Sequence, residues 1–321
     1  MASSSNFFLC LLLWINLFDL NRSSAELLFS FEHRSKAGFY PCKKDQSRIK
    51  SKDKTVPLFR TDEAIRGILT VKIHGGKSMQ HNGLTVKLLG RIKLSVDRKD
   101  GVDDFIHSCY ELQPRGAIIQ GEKAFSLDFS KVDKIHETYH GKSVHLRYFL
   151  RATLARGYYP LIQEQDILIQ AQMSLPPINQ SIQLEVGIEE CLHLAFQYEK
   201  STYHLNDVVI GKIVFHLVRI KIKHMELVIL RRETVGSSGN CTQRHCENEI
   251  VTKFEIMDGA PIKGENVPVR LYLAPYDLTP TYCNVLNRFS VKYFLNLVLV
   301  DEEERRYFKQ QEITLWRKHI G

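Results

Sequence analysis

Two stretches with nearly the same opening, RYFLRATL at residues 147–154 and KYFLNLVL at residues 292–299, decide the fold class of this chain. Each begins with a basic residue and Tyr-Phe-Leu, and continues with bulky apolar side chains. Further matched pairs lie at a similar spacing: Gly67 with Gly211 (144 residues apart), His81 with His224 (143) and Arg147 with Lys292 (145). A period near 144 residues is the size of a whole domain, so the chain is predicted to contain two copies of one unit in tandem.

Apolar and polar residues alternate with period two in run after run along the chain. The runs are LTVKIH (69–74), LTVKLL (84–89), IKLSV (92–96), VHLRYFL (144–150), IQLEV (182–186), LHLAFQY (192–198), VPVRLYL (267–273), VKYFLNLVL (291–299) and EITLW (312–316). Such alternation places one face of a strand on a core and the other toward solvent. With turn residues between the runs and no long amphipathic helix, it predicts two antiparallel β-sandwiches.

The adjacent prolines in SLPPINQS suggest where one sandwich ends and the next begins, since proline cannot donate to a strand ladder. We therefore predict an apolar extension at 1–24, a first sandwich at 25–173, a linker at 174–181 and a second sandwich at 182–321.

Composition is that of an ordinary globular protein, with 44% hydrophobic and 25% charged residues and a net charge of +8. Residues 26–60 hold nine Lys or Arg against four acids, much of it in KKDQSRIKSKDK. Without interleaved aromatic residues or a nucleic-acid-binding motif, this stretch is interpreted as an exposed loop, and no nucleic acid is expected as a partner.

The cysteines and the N-terminus point to different compartments. Seven scattered cysteines favour reduced thiols and a cytosolic protein. Against this, Phe7–Phe18 form an apolar run followed by Ser23-Ser24-Ala25, as in a signal peptide, although no basic residue precedes the run. Residues 1–24 are thus a signal peptide, an extension of a cytosolic protein or a mistaken start. Retention in the cytosol is the prediction, and a secreted or lumenal β-sandwich binding protein is the alternative.

Motifs that would indicate an enzyme or a metal site are weak. The pentad His136-Glu-Thr-Tyr-His140 matches the zinc-protease pattern, but it runs into a strand, where the two histidines would lie about 13 Å apart. A zinc hydrolase is therefore the least favoured alternative. Cys241, His245 and Cys246 lack a second pair at zinc-finger spacing. No catalytic residue, cofactor or metal is predicted, and the sequons at Asn21, Asn179 and Asn240 matter only in a secreted chain.

Three long stretches, 186–227, 254–273 and 289–316, closely resemble the vacuolar protein sorting-associated protein 26 family, the arrestin-like subunit of retromer. Residues 137–150 and 57–94 resemble it more loosely. The resemblance implies two arrestin-type sandwiches, with an immunoglobulin- or fibronectin-like strand arrangement. It also implies a non-enzymatic adaptor in a cytosolic coat that retrieves transmembrane cargo from endosomes to the Golgi or the plasma membrane.

The resemblance further implies partners and the residues that meet them. The α-solenoid subunit, vacuolar protein sorting-associated protein 35, is expected to bind the loop Ile256, Met257, Asp258, Gly259, Ala260 and Pro261. Ile256 and Met257 are either its apolar anchors or caps of their own core. Cargo tails and a sorting nexin are expected at an open edge of the strand that carries Phe289, Val291 and Tyr293, with Phe289 either a contact or plain core. Endosomal membrane is expected to be reached indirectly.

Charged residues beside the apolar runs allow two interpretations. Arrestin-type folds carry polar networks, which suggests a mutually paired buried set, or the residues form a solvated hairpin tip at DEEERR. The candidates are Arg147, Asp301, Glu302, Arg305 and Arg306. The chain departs from the family at residues 1–24, at the cysteine-containing loop 236–250 and at 97–135, so contacts of the first sandwich are not carried over.

Overall fold

A computed structural model describes residues 25–31, 39–41, 55–76, 78–96, 99–173, 179–188, 190–236 and 245–318. Within these ranges the regular structure is β-strand, apart from one 3-10 turn at His74–Gly76. The apolar run at Phe7–Phe18 and most of the linker lie outside the described residues. The described part of the chain contains no helix long and apolar enough to span a membrane.

Twelve strands precede the linker. They are β1 (Ala25–Phe31), β2 (Phe39–Pro41), β3 (Thr55–Arg60), β4 (Ile65–Ile73), β5 (Ser78–Gln80), β6 (Leu84–Val96), β7 (Lys99–Gln113), β8 (Ile118–Gln120), β9 (Glu122–Phe129), β10 (Tyr139–His140), β11 (Val144–Leu154) and β12 (Leu161–Gln170). One sheet has the order β1-β4-β9, and the seven-stranded sheet has the order β2-β3-β12-β11-β6-β7 with β10 on β11. Strands β5 and β8 form a separate pair.

Ten strands follow the linker. They are β13 (Ile182–Ile188), β14 (Leu192–Tyr198), β15 (Thr202–His204), β16 (Val208–Val218), β17 (Ile222–Val235), β18 (His245–Asp258), β19 (Asn266–Tyr272), β20 (Tyr282–Val285), β21 (Phe289–Asp301) and β22 (Arg306–Trp316). One sheet has the order β13-β14-β16-β19. The six-stranded sheet has the order β15-β22-β21-β17-β18, with β20 on β21.

The two halves repeat one strand plan, as the spacing of 144 residues predicts. The order β3-β12-β11-β6-β7 matches β15-β22-β21-β17-β18, and in both sheets the short first strand runs parallel to its neighbour. RYFLRATL and KYFLNLVL are the equivalent strands β11 and β21. The predicted all-β fold of two tandem arrestin-like sandwiches is confirmed.

Two matched glycines show the repeat at the level of side chains. Gly67 lies opposite Phe31, and Gly211 lies opposite Tyr198. A Cβ on Gly67 would come within 3.0 Å of the Phe31 ring, and one on Gly211 within 2.6 Å of the Tyr198 ring. The Cβ would come still closer to a backbone oxygen, that of Ser30 for Gly67 (2.7 Å) and that of Gln197 for Gly211, so neither position has room for a side chain.

Contacts divide the chain into two compact units. The first is Met1–Ile92, Val102–Thr138 and Leu146–Gln170; the second is Lys93–Gly101, Tyr139–His145 and Ala171–Gly321. The segment Tyr139–His145 thus packs with the second unit although it precedes the predicted linker.

A buried carboxylate holds this segment. Glu233 of β17 accepts hydrogen bonds from the Tyr139 hydroxyl (2.7 Å), the Lys142 N–H (3.0 Å) and the Ser143 N–H (2.7 Å). A Cβ on Gly141 would come within 2.6 Å of Glu233 Cδ, so only glycine permits this approach. Burial, and next the charge of Glu233, raises the pKa of Tyr139 above its ordinary value, which keeps the phenol a donor.

A second buried carboxylate, Asp301, ends β21. It accepts from the Glu303 N–H (3.0 Å), from the N–H (2.9 Å) and Nε (2.7 Å) of Arg305, and from the Tyr307 hydroxyl (3.0 Å). Burial opposes ionisation of Asp301, but the hydrogen bonds from Arg305 and Tyr307 outweigh it and hold the pKa below its ordinary value. The turn from β21 to β22 is therefore built around one ionised side chain.

The substitution Glu233→Gln is expected to lower the free energy of unfolding of the second unit by about 1–3 kcal/mol, because the new NH₂ faces N–H donors and leaves a buried group unsatisfied. Chemical denaturation followed by circular dichroism measures this. Glu255→Gln, at an exposed position of β18, is the matched control and should change little. Equal stability of the two variants would contradict a structural role for Glu233.

Acidification should remove the contribution of Asp301. Because its pKa is lower in the folded than in the unfolded chain, where it is about 3.9, ionised Asp301 stabilises the fold above that pH and ceases to do so as pH falls through the folded value. Asp301→Asn should therefore lower the melting temperature at pH 7, with a difference that shrinks below about pH 4. Thermal melts from pH 7 to 3 test this against exposed Glu302→Gln. A difference that grows on acidification would refute it.

Candidate functional site

The outward face of the six-stranded sheet carries an apolar layer of its own. In β21 the residues that point to the core include Leu295, Leu297 and Leu299, so the intervening residues should be polar. Instead they include large apolar side chains that are almost fully buried. With two residues of β17 they form one cluster, Val228, Leu230, Phe294, Val298 and Val300. A sheet face that buries apolar residues away from the core is a candidate binding surface.

A groove of about 200 Å³ lies on this face. Its lining residues are Glu226, Val228, Leu230, Ile250, Lys253, Asn296, Val298, Arg306 and Phe308. We call it the β21 groove. Phe308 of β22 pairs with Val298 and is 67% exposed, and Ile250 of β18 pairs with Leu230 and is also exposed. Buried aliphatic side chains thus form the floor, and the two exposed apolar side chains form opposite walls.

Polar atoms in the β21 groove would orient a ligand. Asn296 pairs with Val228 on one side and Gln310 on the other, in the middle of the floor. Its Oδ1 is buried and has no hydrogen-bond partner in the described part of the chain. A buried acceptor left unpaired costs about 1–3 kcal/mol. A ligand that brings an N–H to Asn296 while burying an apolar side chain would recover that energy.

Charged side chains frame the β21 groove. Lys253 lies 3.8 Å from Glu226, and Arg306 adds a cation next to Phe308 at the start of β22. Beyond the groove, the Arg232 guanidinium lies 4.3 Å from the centroid of the Phe294 ring and bonds to Asn248 and Gln310. Arg232 thereby covers Phe294 and leaves the groove as the open part of the apolar layer.

The loop predicted to bind the α-solenoid subunit begins at the end of β18, an edge strand. Met257 pairs with Met225, and Ile256 sits at an irregularity in the pairing; both are half-buried. Gly259, with φ 105°, donates its N–H to Lys223 O at 2.7 Å, and Pro261 is buried. Asp258 and Ala260 are exposed. Ile262, which was not predicted from the sequence, is a largely exposed apolar residue in the same loop.

The prediction of an open sheet edge at Phe289, Val291 and Tyr293 is wrong. Phe289 is 1% exposed, and Val291 and Tyr293 are fully buried. Strand β21 is paired on both sides, with β17 along one side and with β20 and then β22 along the other. In the described part of the chain, both sides of β21 are therefore occupied by neighbouring strands, which contradicts an open edge. Among the described residues of this sheet, Phe308 is the most exposed aromatic residue at 67%, and Phe254 of β18 is 37% exposed. The sequence signal of Phe308 is an apolar residue out of phase with Tyr307 and Ile313.

The five charged candidates do not form one set. Arg147 belongs to the first unit, where it pairs with Asp166 and with Glu164 (3.1 Å) and lies 4.2 Å from the Phe149 ring centroid. Asp301 is buried and bonded to Arg305. Glu302, Arg305 and Arg306 are exposed around the β21–β22 turn. The interpretation as a hairpin tip fits Glu302, Arg305 and Arg306; Asp301 is the buried anchor of that tip, and Arg147 lies in the other unit.

The histidine pentad does not form the helix that a zinc-protease motif requires. Residues 136–138 have no regular structure, and Tyr139 and His140 form β10. His136 is half-buried, and burial lowers its pKa. Among the residues described, no group of three or more His, Cys, Asp and Glu is placed to hold a metal ion. Cys241 lies outside the described residues, while His245 and exposed Cys246 begin β18.

Comparison with known proteins assigns a family to this pair of sandwiches. The sequence profile described as vacuolar protein sorting-associated protein 26 matches residues 22–304, through the divergent stretch 97–135 and both units. A protein of that name from Plasmodium falciparum is 50% identical over 275 residues, covering 85% of this chain and 91% of the relative.

Two further relatives give the same result. Vacuolar protein sorting-associated protein 26B of Arabidopsis thaliana is 52% identical over 263 residues, 82% of this chain and 85% of the relative. Protein 26B of Danio rerio is 46% identical over 301 residues, 94% of this chain and 86% of the relative. The role attached to these names is protein sorting. The chain belongs to the vacuolar protein sorting-associated protein 26 family.

Proposed function

We propose that this protein is a non-enzymatic adaptor subunit of a retromer-type coat, which binds the α-solenoid subunit and helps to select transmembrane cargo for retrieval from endosomes to the Golgi or the plasma membrane. Family membership supports the sorting role. The observation that favours an adaptor is the β21 groove: it has apolar walls and an unpaired acceptor at its floor, which suit an extended peptide segment.

The loop from Ile256 to Pro261 is the proposed contact with the α-solenoid subunit, vacuolar protein sorting-associated protein 35. Its hydrogen bond from Gly259 to Lys223 and the buried ring of Pro261 fix its conformation before a partner arrives. A preformed loop loses little entropy on binding, so half-buried Ile256 and Met257 can serve as anchors. Exposed Ile262 extends the same apolar surface.

The β21 groove is the proposed contact with cargo tails. It takes the role first predicted for the edge at Phe289, which is closed. A peptide could place one apolar side chain between Phe308 and Ile250 and offer a main-chain N–H to Asn296. Mixed charges at Glu226, Lys253 and Arg306 leave room for a sorting nexin to contribute to the choice of cargo.

The proposed compartment is the cytoplasm, peripheral on endosomal membranes. The four described cysteines, Cys109, Cys191, Cys246 and Cys283, are all unpaired thiols, as expected in a reducing compartment. In addition, the Asn179 side chain accepts the Ser201 and Thr202 N–H groups and donates its Nδ2 to Thr202 O at 3.1 Å. A glycan on that nitrogen would disrupt the start of β15, which disfavours a secreted form.

Replacing Ile256 with Ser and Met257 with Asn should weaken binding to the purified α-solenoid subunit by about a thousandfold, since two anchors worth about 2 kcal/mol each are lost. Isothermal titration calorimetry gives the affinity, and a thermal melt checks the fold. Ile210→Ser, an exposed site on β16, is the matched control and should bind normally. Normal affinity of the double variant, with a normal melt, would exclude the loop as the anchor.

Phe308→Ser should weaken the binding of cargo tails at least tenfold, because one wall of the β21 groove is removed. Its melting temperature should change little, since the side chain is already mostly exposed. Anisotropy of labelled cytosolic-tail peptides, measured with the α-solenoid subunit and a sorting nexin present, provides the comparison. Tyr272→Ser, exposed on β19, is the control. If both variants bind the peptides like the parent protein, cargo binds elsewhere.

A further inference from the structure

Three loops at one end of the first unit are joined through a buried histidine. The His81 side chain accepts the Gly83 N–H on Nδ1 at 3.1 Å, and its Nε2 lies 3.0 Å from Gln113 Oε1. With one ring nitrogen accepting and the other facing a carbonyl oxygen, the imidazole is neutral and donates from Nε2. His81 therefore works as a fixed connector between the turn at 81–83 and the end of β7.

Backbone hydrogen bonds join the third loop to the other two. Asn82 N–H donates to Ala155 O (2.6 Å), and Ala155 N–H donates to Gly83 O (2.9 Å). Gly116 N–H donates to His81 O (2.9 Å), and His81 N–H donates to Ala117 O (3.2 Å). The segments 78–83, 113–121 and 155–162 thus form one rigid surface, which we call the loop platform.

The loop platform presents large apolar and aromatic side chains to solvent. Tyr158 and Tyr159 lie in the turn between β11 and β12 and are 98% and 78% exposed. Ile118 at the start of β8 and Ile162 near the start of β12 are also more than half exposed. Rings this exposed contribute almost nothing to the core of their own unit. A pair of tyrosines on a rigid support is instead suited to an interface that is apolar on one side and wet on the other.

The charge of the loop platform indicates which interface this is. Its 23 residues contain no Asp or Glu, where the chain average of 36 acids in 321 residues would place two or three. They contain Arg115, which is exposed, and Arg156. Tyrosine is enriched at the headgroup level of bilayers, and arginine near the surface is attracted to anionic lipid. An acid-free surface with exposed tyrosines therefore fits an anionic membrane better than a mixed-charge protein surface.

We propose that the loop platform binds the surface of an anionic lipid bilayer directly, with Tyr158 and Tyr159 among the headgroups and Arg115 beside lipid phosphates. This goes beyond the proposed function, in which the protein reaches the membrane through its partners. The contact adds a weak, salt-sensitive attachment, since two rings and two cations are fewer than stable anchoring needs. Such a contact would orient a protein that other subunits already hold near the membrane.

Vesicle flotation of the whole protein, without other subunits, tests the proposal. Vesicles of phosphatidylcholine with phosphatidylserine should bind more protein than vesicles of phosphatidylcholine alone, and binding should fall as salt rises. The double variant Tyr158→Ser, Tyr159→Ser should reduce the bound fraction about fivefold or more, and Arg115→Glu should do the same for anionic vesicles alone. Tyr272→Ser is the matched control and should bind like the parent. Comparing the bound fractions of these variants distinguishes binding through the loop platform from a general attraction of this basic chain to anionic lipid.

Three results would overturn the proposal: no preference for anionic vesicles, equal binding by the double variant and the parent, or equal loss in the Tyr272→Ser control. Melting temperatures should be unchanged in all variants, so misfolding cannot imitate the effect. Binding of the same variants to the α-solenoid subunit should be normal. If the double variant instead fails to bind the α-solenoid subunit but still binds vesicles, the loop platform is a protein interface and the lipid proposal fails. If the parent protein itself does not bind the α-solenoid subunit, that result counts only against the proposed function.

Discussion

The pairing of β21 between β17 and β22 is the interaction on which the second unit depends. The inner face of β21 fills the core with leucines, and its outer face supplies Phe294 and Val298 to the apolar layer under the groove. A strand with one apolar face finds its register from that face alone, because a slip of one residue would expose it. Strand β21 carries apolar residues on both faces, since Phe294, Val298 and Val300 alternate with its leucines, so this safeguard is weaker. Its register is also held by the Tyr293 hydroxyl, which contacts Thr279, and by Asp301, which closes the turn at the end of the strand.

The fold was predictable because it rests on patterns that are local in sequence. Alternation within each run identifies a strand and its buried face, and the repeat of RYFL and KYFL identifies equivalent strands without any knowledge of their neighbours. The same alternation could not show whether the strand that carries Phe289 has an open edge. It predicts which face of the sheet a side chain is on, but not which strands pair with the backbone on either side. Pairing with β17, more than fifty residues earlier, covers one side of this part of β21, and such long-range pairing has no signal in a single sequence; the short strand β20 covers the other side through a tight turn.

The sites were harder to predict for the same reason. The β21 groove takes residues from four strands, and its two walls, Ile250 and Phe308, are far apart in the chain. Glu233 is bonded to a tyrosine 94 residues before it, so nothing near Glu233 marks it as buried. The pentad beginning at His136 misled in the opposite way. Its five adjacent residues match a motif whose chemistry needs a helix, but residues 136–138 have no regular structure and Tyr139 and His140 form a strand. The loop at Ile256 was identified by resemblance, and its role stays a prediction.

The glycines at 67 and 211 bear on how natural variation in this protein should be interpreted. Gly211 is only half-buried, so a substitution there would look mild if judged by exposure, whereas Gly67 is buried. Because a Cβ at either position would collide with a backbone oxygen, that of Ser30 or of Gln197, as well as with the ring across the strand, a missense change to alanine is already a folding defect. Such alleles would lower the amount of protein in the cell without touching a partner surface. A smaller residue at 31 or 198 would not restore the fold, because the collision with the backbone oxygen would remain.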